Sequence, residues 1–278
     1  LAIHGVTASH REFVALAEAL GDDVQLIAPD LRGRGRSNEL PGPWGMPQHA
    51  EDLAAVLDAF GVDSAVVVGH SMGAFASVVL ANLSPKKVRA LVLVDGGLPL
   101  PTPPGISDDE LTRAILGPAA DRLAMTFESQ SAYRDFWRNH PAFANDWNEL
   151  IEDYIAYDLV GTEPNLRPAS SFDAVAADSI ELRGGESLLK ALDELAHPAT
   201  LITAPRGLMN EVPPLYPAEA LAPWKAKLPQ LQMLAAHSVN HYTIVMTDRG
   251  ARLVSETIAA ALNGSVVGIT QHEEVERA

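Results

Sequence analysis

Residues 65–80 hold the tightest constraint in this chain. Ala65-Val66-Val67-Val68 is a short β-branched run, Gly69-His70-Ser71-Met72-Gly73 follows it, and Ala74-Phe75-Ala76-Ser77-Val78-Val79-Leu80 continues as an apolar stretch. That order predicts strand, sharp turn and helix, with a serine at the apex. Such a turn demands small flanks. A side chain at 69 or 73 would collide with the neighbouring strand and helix, while Ser71 takes a strained backbone that projects its hydroxyl. The turn also leaves the Met72 N–H at a helix start, where unpaired donors and the helix dipole favour an anion. A chance Gly/Ser loop would share the five letters but not the flanking strand and helix.

A nucleophilic serine makes a second demand. Acyl transfer passes through a tetrahedral oxyanion that needs two convergent backbone donors, one from the residue after the nucleophile and one from a loop after an early strand. Leu1-Ala2-Ile3 reads as the end of a buried strand running into His4-Gly5-Val6-Thr7. The expected donors are therefore the N–H groups of Val6 and Met72. His4 reads as a loop-shaping residue that hydrogen-bonds backbone rather than as the catalytic base.

The segments Leu1–Thr7, Ile27-Ala28-Pro29-Asp30-Leu31-Arg32-Gly33-Arg34-Gly35-Arg36-Ser37, Gly69–Gly73 and Asn240-His241-Tyr242 together resemble the α/β-hydrolase superfamily, in order and spacing. The likeness spans nearly the whole chain, with the middle third fitting only as a cap. It implies a mostly parallel sheet flanked by helices, with an inserted helical cap. It says little about substrate.

The bounds set by composition agree. A chain of 278 residues with 47% apolar and 20% charged residues is ordinary globular material, long enough to bury a sizeable core. A net charge of −16 argues against a nucleic-acid partner and sets strongly anionic substrates against the overall field. The Arg-Gly alternation at 32–36 reads as a compact loop, not an RNA-binding tail. With no cysteine, disulfide and thiolate chemistry is excluded. No apolar stretch approaches the ~18 residues of a membrane span. The chain starts inside a strand without an initiator Met, so the expectation is that the natural protein extends further and that a targeting signal, if any, precedes Leu1. A cytoplasmic location is the default expectation.

The periodicity predicts alternating strands and helices. Ser9-His10-Arg11-Glu12 reads as a capping box opening a helix to about Leu20. Strands are expected at Val24–Ala28, Ala65–Val68, Val88–Val94, Ala199–Thr203 and Leu231–Leu234, with helices over Gln48–Phe60 and Ala251–Leu262. The tail from Gly264 to Ala278 lacks periodicity and is expected to be loose. These elements divide the chain into a first core part at 1–98, a cap at 99–196 and a second core part at 197–278. The cap opens with Pro99, Pro101, Pro103 and Pro104, and helices are expected at Asp108–Leu116, Ala119–Ser129 and Asn145–Leu159. Nine of the sixteen aromatic residues fall in this third: Phe127, Tyr133, Phe136, Trp137, Phe143, Trp147, Tyr154, Tyr157 and Phe172. They are expected to build the cap's own core, with some of them roofing a pocket over Ser71.

A serine hydroxyl needs a neighbour to accept its proton, and a histidine near neutral pKa suits that work. Order along the chain and the family likeness both imply His241, with His237 as its rival, while His70 is expected to brace the elbow. The orienting acid is less regular. Most of the superfamily would place it soon after Ala199–Thr203, where this chain reads Ala204-Pro205-Arg206-Gly207-Leu208-Met209-Asn210-Glu211 and Glu211 comes late. Other members place it after the preceding strand, where Asp95 ends Val88–Val94. Asp95 is favoured, Glu211 is the alternative, and a degraded triad is the remaining reading.

The resulting expectation is a cofactor-free, metal-free serine hydrolase acting on a small, neutral, moderately apolar ester or lactone through an acyl-enzyme on Ser71. Carbon–carbon bond hydrolases and other serine-branch enzymes share this machinery. A non-catalytic small-ligand receptor that keeps the pocket is the reading from another class. Oligomeric state is not legible.

Overall fold

A computed structural model describes residues 1–101 and 118–265. Its strands, in chain order, are β1 (Ala2–Ile3), β2 (Ala65–His70), β3 (Val88–Val94), β4 (Leu159–Val160), β5 (Arg167–Pro168), β6 (Ala199–Thr203) and β7 (Leu231–Ala235). Five of them form one sheet in the order β1-β2-β3-β6-β7, every pair parallel. Runs such as Val66-Val67-Val68 and Leu91-Val92-Leu93 are apolar at every position because helices cover both faces. Alternate residues feed different layers. Val67, Leu91, Leu93 and Leu201 pack with Phe75, Val79, Leu53 and Leu57. Val66, Val68, Ala90, Val92, Val94 and Ile202 pack with Phe13, Leu16, Val254 and Ile258. The first layer holds helices α2 (Met46–Ala59) and α3 (Met72–Leu83); the second holds α1 (Val14–Leu20) and the closing helix Asp248–Leu262.

Register brings the functional ends together. Ile3 is level with Gly69, His70 with Val94, and Val94 with Ile202. The segments leaving these residues therefore emerge at one edge, the carboxyl end of the sheet, which is where open parallel sheets place ligands.

Three expected elements differ from the structure: the helix expected over Ala119–Ser129 ends at Leu123, because Phe127 bridges to Leu166 instead, and two more lie in the core. Ser9 makes no capping hydrogen bond, and His10–Phe13 forms a 3₁₀ turn ahead of α1. The reason is that Glu12 is drawn inward, accepting from the Gly5 N–H at 3.1 Å and facing His70, so the capping box never closes. Val24–Ala28 is not a strand; one hydrogen bond, Ala2 N–H to Ile27 O at 2.8 Å, ties it to β1. The other core strands and helices lie where the periodicity predicts, within a few residues.

Between β3 and β6 the chain is mainly helical. It includes helices Pro118–Leu123, Gln130–Arg138, Glu149–Tyr157, Phe172–Glu181 and Glu186–Asp193, and the small antiparallel pair of β4 with β5. Ser129, Asn148 and Ser171 cap three of these helices with their side chains, each accepting an orphan N–H of the first turn. The expected helix at Asp108–Leu116, with Pro103 and Pro104, lies outside the described residues, as does most of the tail after Gly264.

The aromatics of this insert differ in part from expectation. Tyr133, Trp137 and Phe143 are buried, and with Phe127 and Phe136 they form a run of edge-on and stacked ring contacts, 4.6–6.4 Å between centroids. Beside it lie buried Arg122 and Asp158, with the Tyr133 hydroxyl bonded to both. None of the nine lines the cavity at Ser71. Their rings help to bury an ion pair and do not roof the nucleophile.

Candidate active site

Ser71 sits between β2 and α3 at φ 53°, ψ −124°, a backbone conformation that costs on the order of 1–3 kcal/mol and persists only where its surroundings enforce it. The enforcement is visible. A Cβ on Gly73 would fall inside the Ile3 carbonyl, and one on Gly96 would fall inside the Ser71 peptide. The Ser71 N–H donates to Val94 O at 2.9 Å, which ties the turn to the end of β3.

His241 lies beyond β7 and is 3% exposed. Asn240 builds its loop: its Oδ1 accepts from Tyr242 N–H and Thr243 N–H, each at 3.0 Å, and its Nδ2 donates to Ala142 O at 2.8 Å. Asp95, fully buried at the end of β3 with φ 46°, places Oδ2 2.7 Å from His241 Nδ1. Its Oδ1 accepts from Ala204 N–H at 3.0 Å, so the second oxygen is committed to holding the carboxylate still. A carboxylate only accepts, so Nδ1 is the donor to Asp95, and Nε2 is the ring nitrogen not committed to it. Glu211 stays in its own loop, accepting from Met209 N–H at 2.7 Å, and His237 is exposed.

The loop after β1 is held by hydrogen bonds from several directions. His4 donates from Nδ1 to Gly5 O at 2.8 Å and accepts at Nε2 from Leu31 N–H at 2.9 Å, which fixes one neutral tautomer. Burial drives its pKa down to about 4, so it stays uncharged. Gly5 O also accepts from Ala8 N–H, Val6 O from Arg34 Nε at 2.9 Å, and Thr7 O from Arg122 Nη2 at 3.3 Å. The Val6 N–H has no acceptor among the described residues. Met72 opens α3, so its N–H has no carbonyl one turn earlier.

His70 braces both halves of the site. Its Nε2 donates to His241 O at 2.8 Å, and its Nδ1 faces Glu12 Oε1 at 3.2 Å. Burial works against the imidazolium, but the Glu12 carboxylate outweighs it, and the His70 pKa lies above its ordinary value. Sequence reasoning missed Glu12, Arg34, Arg122 and Asp178 as supports. Each is a charged residue whose burial depends on a partner distant in sequence.

Ser71, Val6, Asp95 and His241 line one cavity of about 20 Å³ with Phe75, Leu100, Leu182, Leu208 and Leu215. That is about the space of one water. Leu100, Leu208 and Leu215 also line an open hollow of about 290 Å³ walled by Pro101, Pro213, Pro214 and Pro217, with Glu211 in its lining. Among the described residues no group of acidic and imidazole side chains could hold a metal ion, and no helix is long and apolar enough to cross a membrane.

Known proteins share this architecture. A family model for the alpha/beta hydrolase fold matches residues 1–132. Lipase LipV of Mycobacterium tuberculosis is 43% identical over 100 residues, 36% of this chain and 38% of that protein. The 2-(acetamidomethylene)succinate hydrolase of Mesorhizobium japonicum is 28% identical over 221 residues, 78% of this chain and 65% of that protein. The two matches thus span between about a third and two thirds of the relatives' own length. The crystal structure of an E-2-(acetamidomethylene)succinate hydrolase superposes with a TM-score of 0.77 at 24% identity, over 94% of this chain and 90% of that one. A thioesterase domain from the curacin biosynthetic pathway gives 0.69 at 22% identity, over 93% and 89%. Parallel sheet, elbow, family model and superposition agree: the chain has the alpha/beta hydrolase fold.

Proposed function

We propose that this chain is a serine hydrolase that cleaves a small, neutral carboxylic ester or lactone through an acyl-enzyme. The observation that carries the reading is the convergence, on one small apolar cavity, of Ser71, an imidazole whose Nδ1 is committed to Asp95, and a loop with the uncommitted Val6 N–H. In this scheme His241 Nε2 takes the Ser71 proton as Oγ attacks the carbonyl carbon. Asp95 holds the ring in that tautomer and stabilises the imidazolium. The N–H groups of Val6 and Met72 receive the oxyanion. His241 returns the proton to the leaving alkoxide, and a water activated by the same ring then releases the acid and frees Ser71.

The lining supports this choice of substrate class. Four leucines and a phenylalanine face the nucleophile, no Lys or Arg lines either cavity among the described residues, and Glu211 lines the outer hollow. A neutral, moderately apolar acyl group suits such walls, and an anionic one does not. The related lipase supports ester chemistry. A substituted succinate, for which the other relative is named, carries two carboxylates, and this lining offers such a molecule no counter-charge. In this reading the segment 99–196 is the cap, with Leu100 and Leu182 its contribution to the cavity.

The test is a fluorophosphonate probe on the purified chain beside Ser71→Ala, followed by a panel of neutral and anionic chromogenic esters. The expected result is labelling that depends on Ser71 and turnover confined to neutral esters. Absence of labelling would favour a ligand receptor instead. Labelling with faster turnover of anionic esters would sink the substrate assignment alone.

A further inference from the structure

Arg34 sits in a Gly33-Arg34-Gly35 turn, a context that suggests a solvated side chain, yet it is fully buried. Its donors go in four directions. Nε reaches Val6 O at 2.9 Å, Nη1 reaches Arg32 O at 3.0 Å and Asp178 Oδ2 at 2.5 Å, and Nη2 lies 3.8 Å from Met72 Sδ. Val6 and Met72 are the two residues whose N–H groups the proposed reaction uses. The counter-ion comes from elsewhere in the chain: Asp178 lies on helix Phe172–Glu181 of the insert. It is itself held by Gly45 N–H at 2.7 Å and His49 Nε2 at 2.9 Å.

A buried ion pair of this kind contributes little net stability compared with well-packed apolar side chains of similar volume. Stability alone therefore gives no reason for a guanidinium at this point. Geometry does. The planar fork fixes the Val6–Thr7 peptide and packs the Met72 side chain against the same loop. We infer that Arg34 is a positioning residue for the oxyanion hole, and that Asp178 makes the insert responsible for the hole's geometry. The next carbonyl is clamped in the same manner. Arg122 donates to Thr7 O and pairs with Asp158, again from the insert. The two consecutive carbonyls after the Val6 N–H are thus each gripped by a buried arginine anchored on an insert carboxylate. Seating the insert and aiming the donor are one event.

This inference rests on the serine-hydrolase reading, and the test separates the two. In the full chain, three quantities are measured: the rate constant for Ser71 phosphonylation, the affinity of a trifluoromethyl ketone, and ester kcat and KM. They are compared for wild type, Arg34→Met, Arg34→Lys and Asp178→Asn, with Asp52→Asn as a control that removes the half-exposed partner of Arg32. Arg34→Met should lower kcat, phosphonylation rate and ketone affinity together by about 10–100-fold, with KM held within about threefold. Arg34→Lys restores charge but not the fork, and should recover less than half of that loss on a logarithmic scale. Asp178→Asn should move the same three quantities in the same direction by a smaller factor, and Asp52→Asn should move none. A folded Arg34→Met with unchanged phosphonylation and ketone affinity overturns the inference. If Arg34→Met does not fold, Asp178→Asn and Arg34→Lys decide on the same readouts. If none of the three folds, Arg34 is a folding residue and the inference fails. A wild type that does not react at Ser71 sinks the hydrolase reading itself.

Discussion

The sheet core and the insert between β3 and β6 solve burial in opposite ways. Around β2, β3 and α3 the interior is mainly aliphatic, and its buried titratable side chains, His70 and Asp95, sit at the strand ends. The insert instead buries Arg122, Asp158 and Tyr133 beside a cluster of aromatic rings, and sends Asp178 to meet Arg34 of the core. The first arrangement presents Ser71, the nucleophile of the proposed reaction, on a rigid support. The second grips the Val6 and Thr7 carbonyls through Arg34 and Arg122, and depends on long-range partners. In the proposed reaction the contrast separates what presents the reacting oxygen from what tunes its surroundings.

That contrast can be broken at several points. The largest expected effect is Ser71→Ala, which should lower ester turnover by at least ~10⁴-fold while leaving thermal melting unchanged. Asp95→Asn should lower kcat by about 10³–10⁴-fold, because the amide offers a donor where Nδ1–H needs an acceptor. Glu211→Gln should stay within about threefold of wild type. If instead Glu211→Gln were the damaging change, the acid assignment would be reversed. In urea melts, Leu93→Ala in the sheet should cost about 2–5 kcal/mol through the cavity it leaves. Tyr133→Phe in the insert should cost about 1–3 kcal/mol by leaving buried Arg122 and Asp158 short of a partner. No measurable cost for Tyr133→Phe would mean the polar centre of the insert is not a structural support.

The pH dependence sharpens the same comparison. His4 is held neutral by burial, with its pKa lowered to about 4 against 6.5 for the free group. The unfolded chain binds a proton that the native chain refuses between those values. Stability from this group is therefore fully present above about pH 6.5 and is lost as pH falls toward 4, by about 3 kcal/mol in all. Chemical melts of His4→Gln should lack that slope. His70 has the opposite sign: its raised pKa makes its contribution complete below about pH 6.5 and lost as pH rises through the native value. Glu12→Gln should remove that alkaline loss.

The part of this molecule legible in the sequence is the part fixed locally. The elbow reads directly because strand, turn and helix are contiguous and the glycines are obligatory. Val88–Val94 and Ala199–Thr203 read to the residue because strands covered on both faces are continuous apolar runs. The pairing of His241 with Asp95 is visible in sequence only as one of three readings, since the choice depends on strand register rather than on nearby residues. Capping at Ser9 fails because Glu12 has a stronger use, accepting from Gly5 and facing His70. The aromatic excess of the insert signals a core of its own but not the ion pair beside it. Nothing near Arg34 or Arg122 in sequence announces burial, because the carboxylates that permit it arrive from distant helices and turns.

The most direct measurement is a rapid-quench experiment with a chromogenic neutral ester, followed by peptide mass mapping. The account predicts a burst of about one product per chain and an acyl adduct on the peptide bearing Ser71, both abolished by Ser71→Ala. Turnover without a burst, together with an adduct on another residue or with turnover that survives Ser71→Ala, would contradict it.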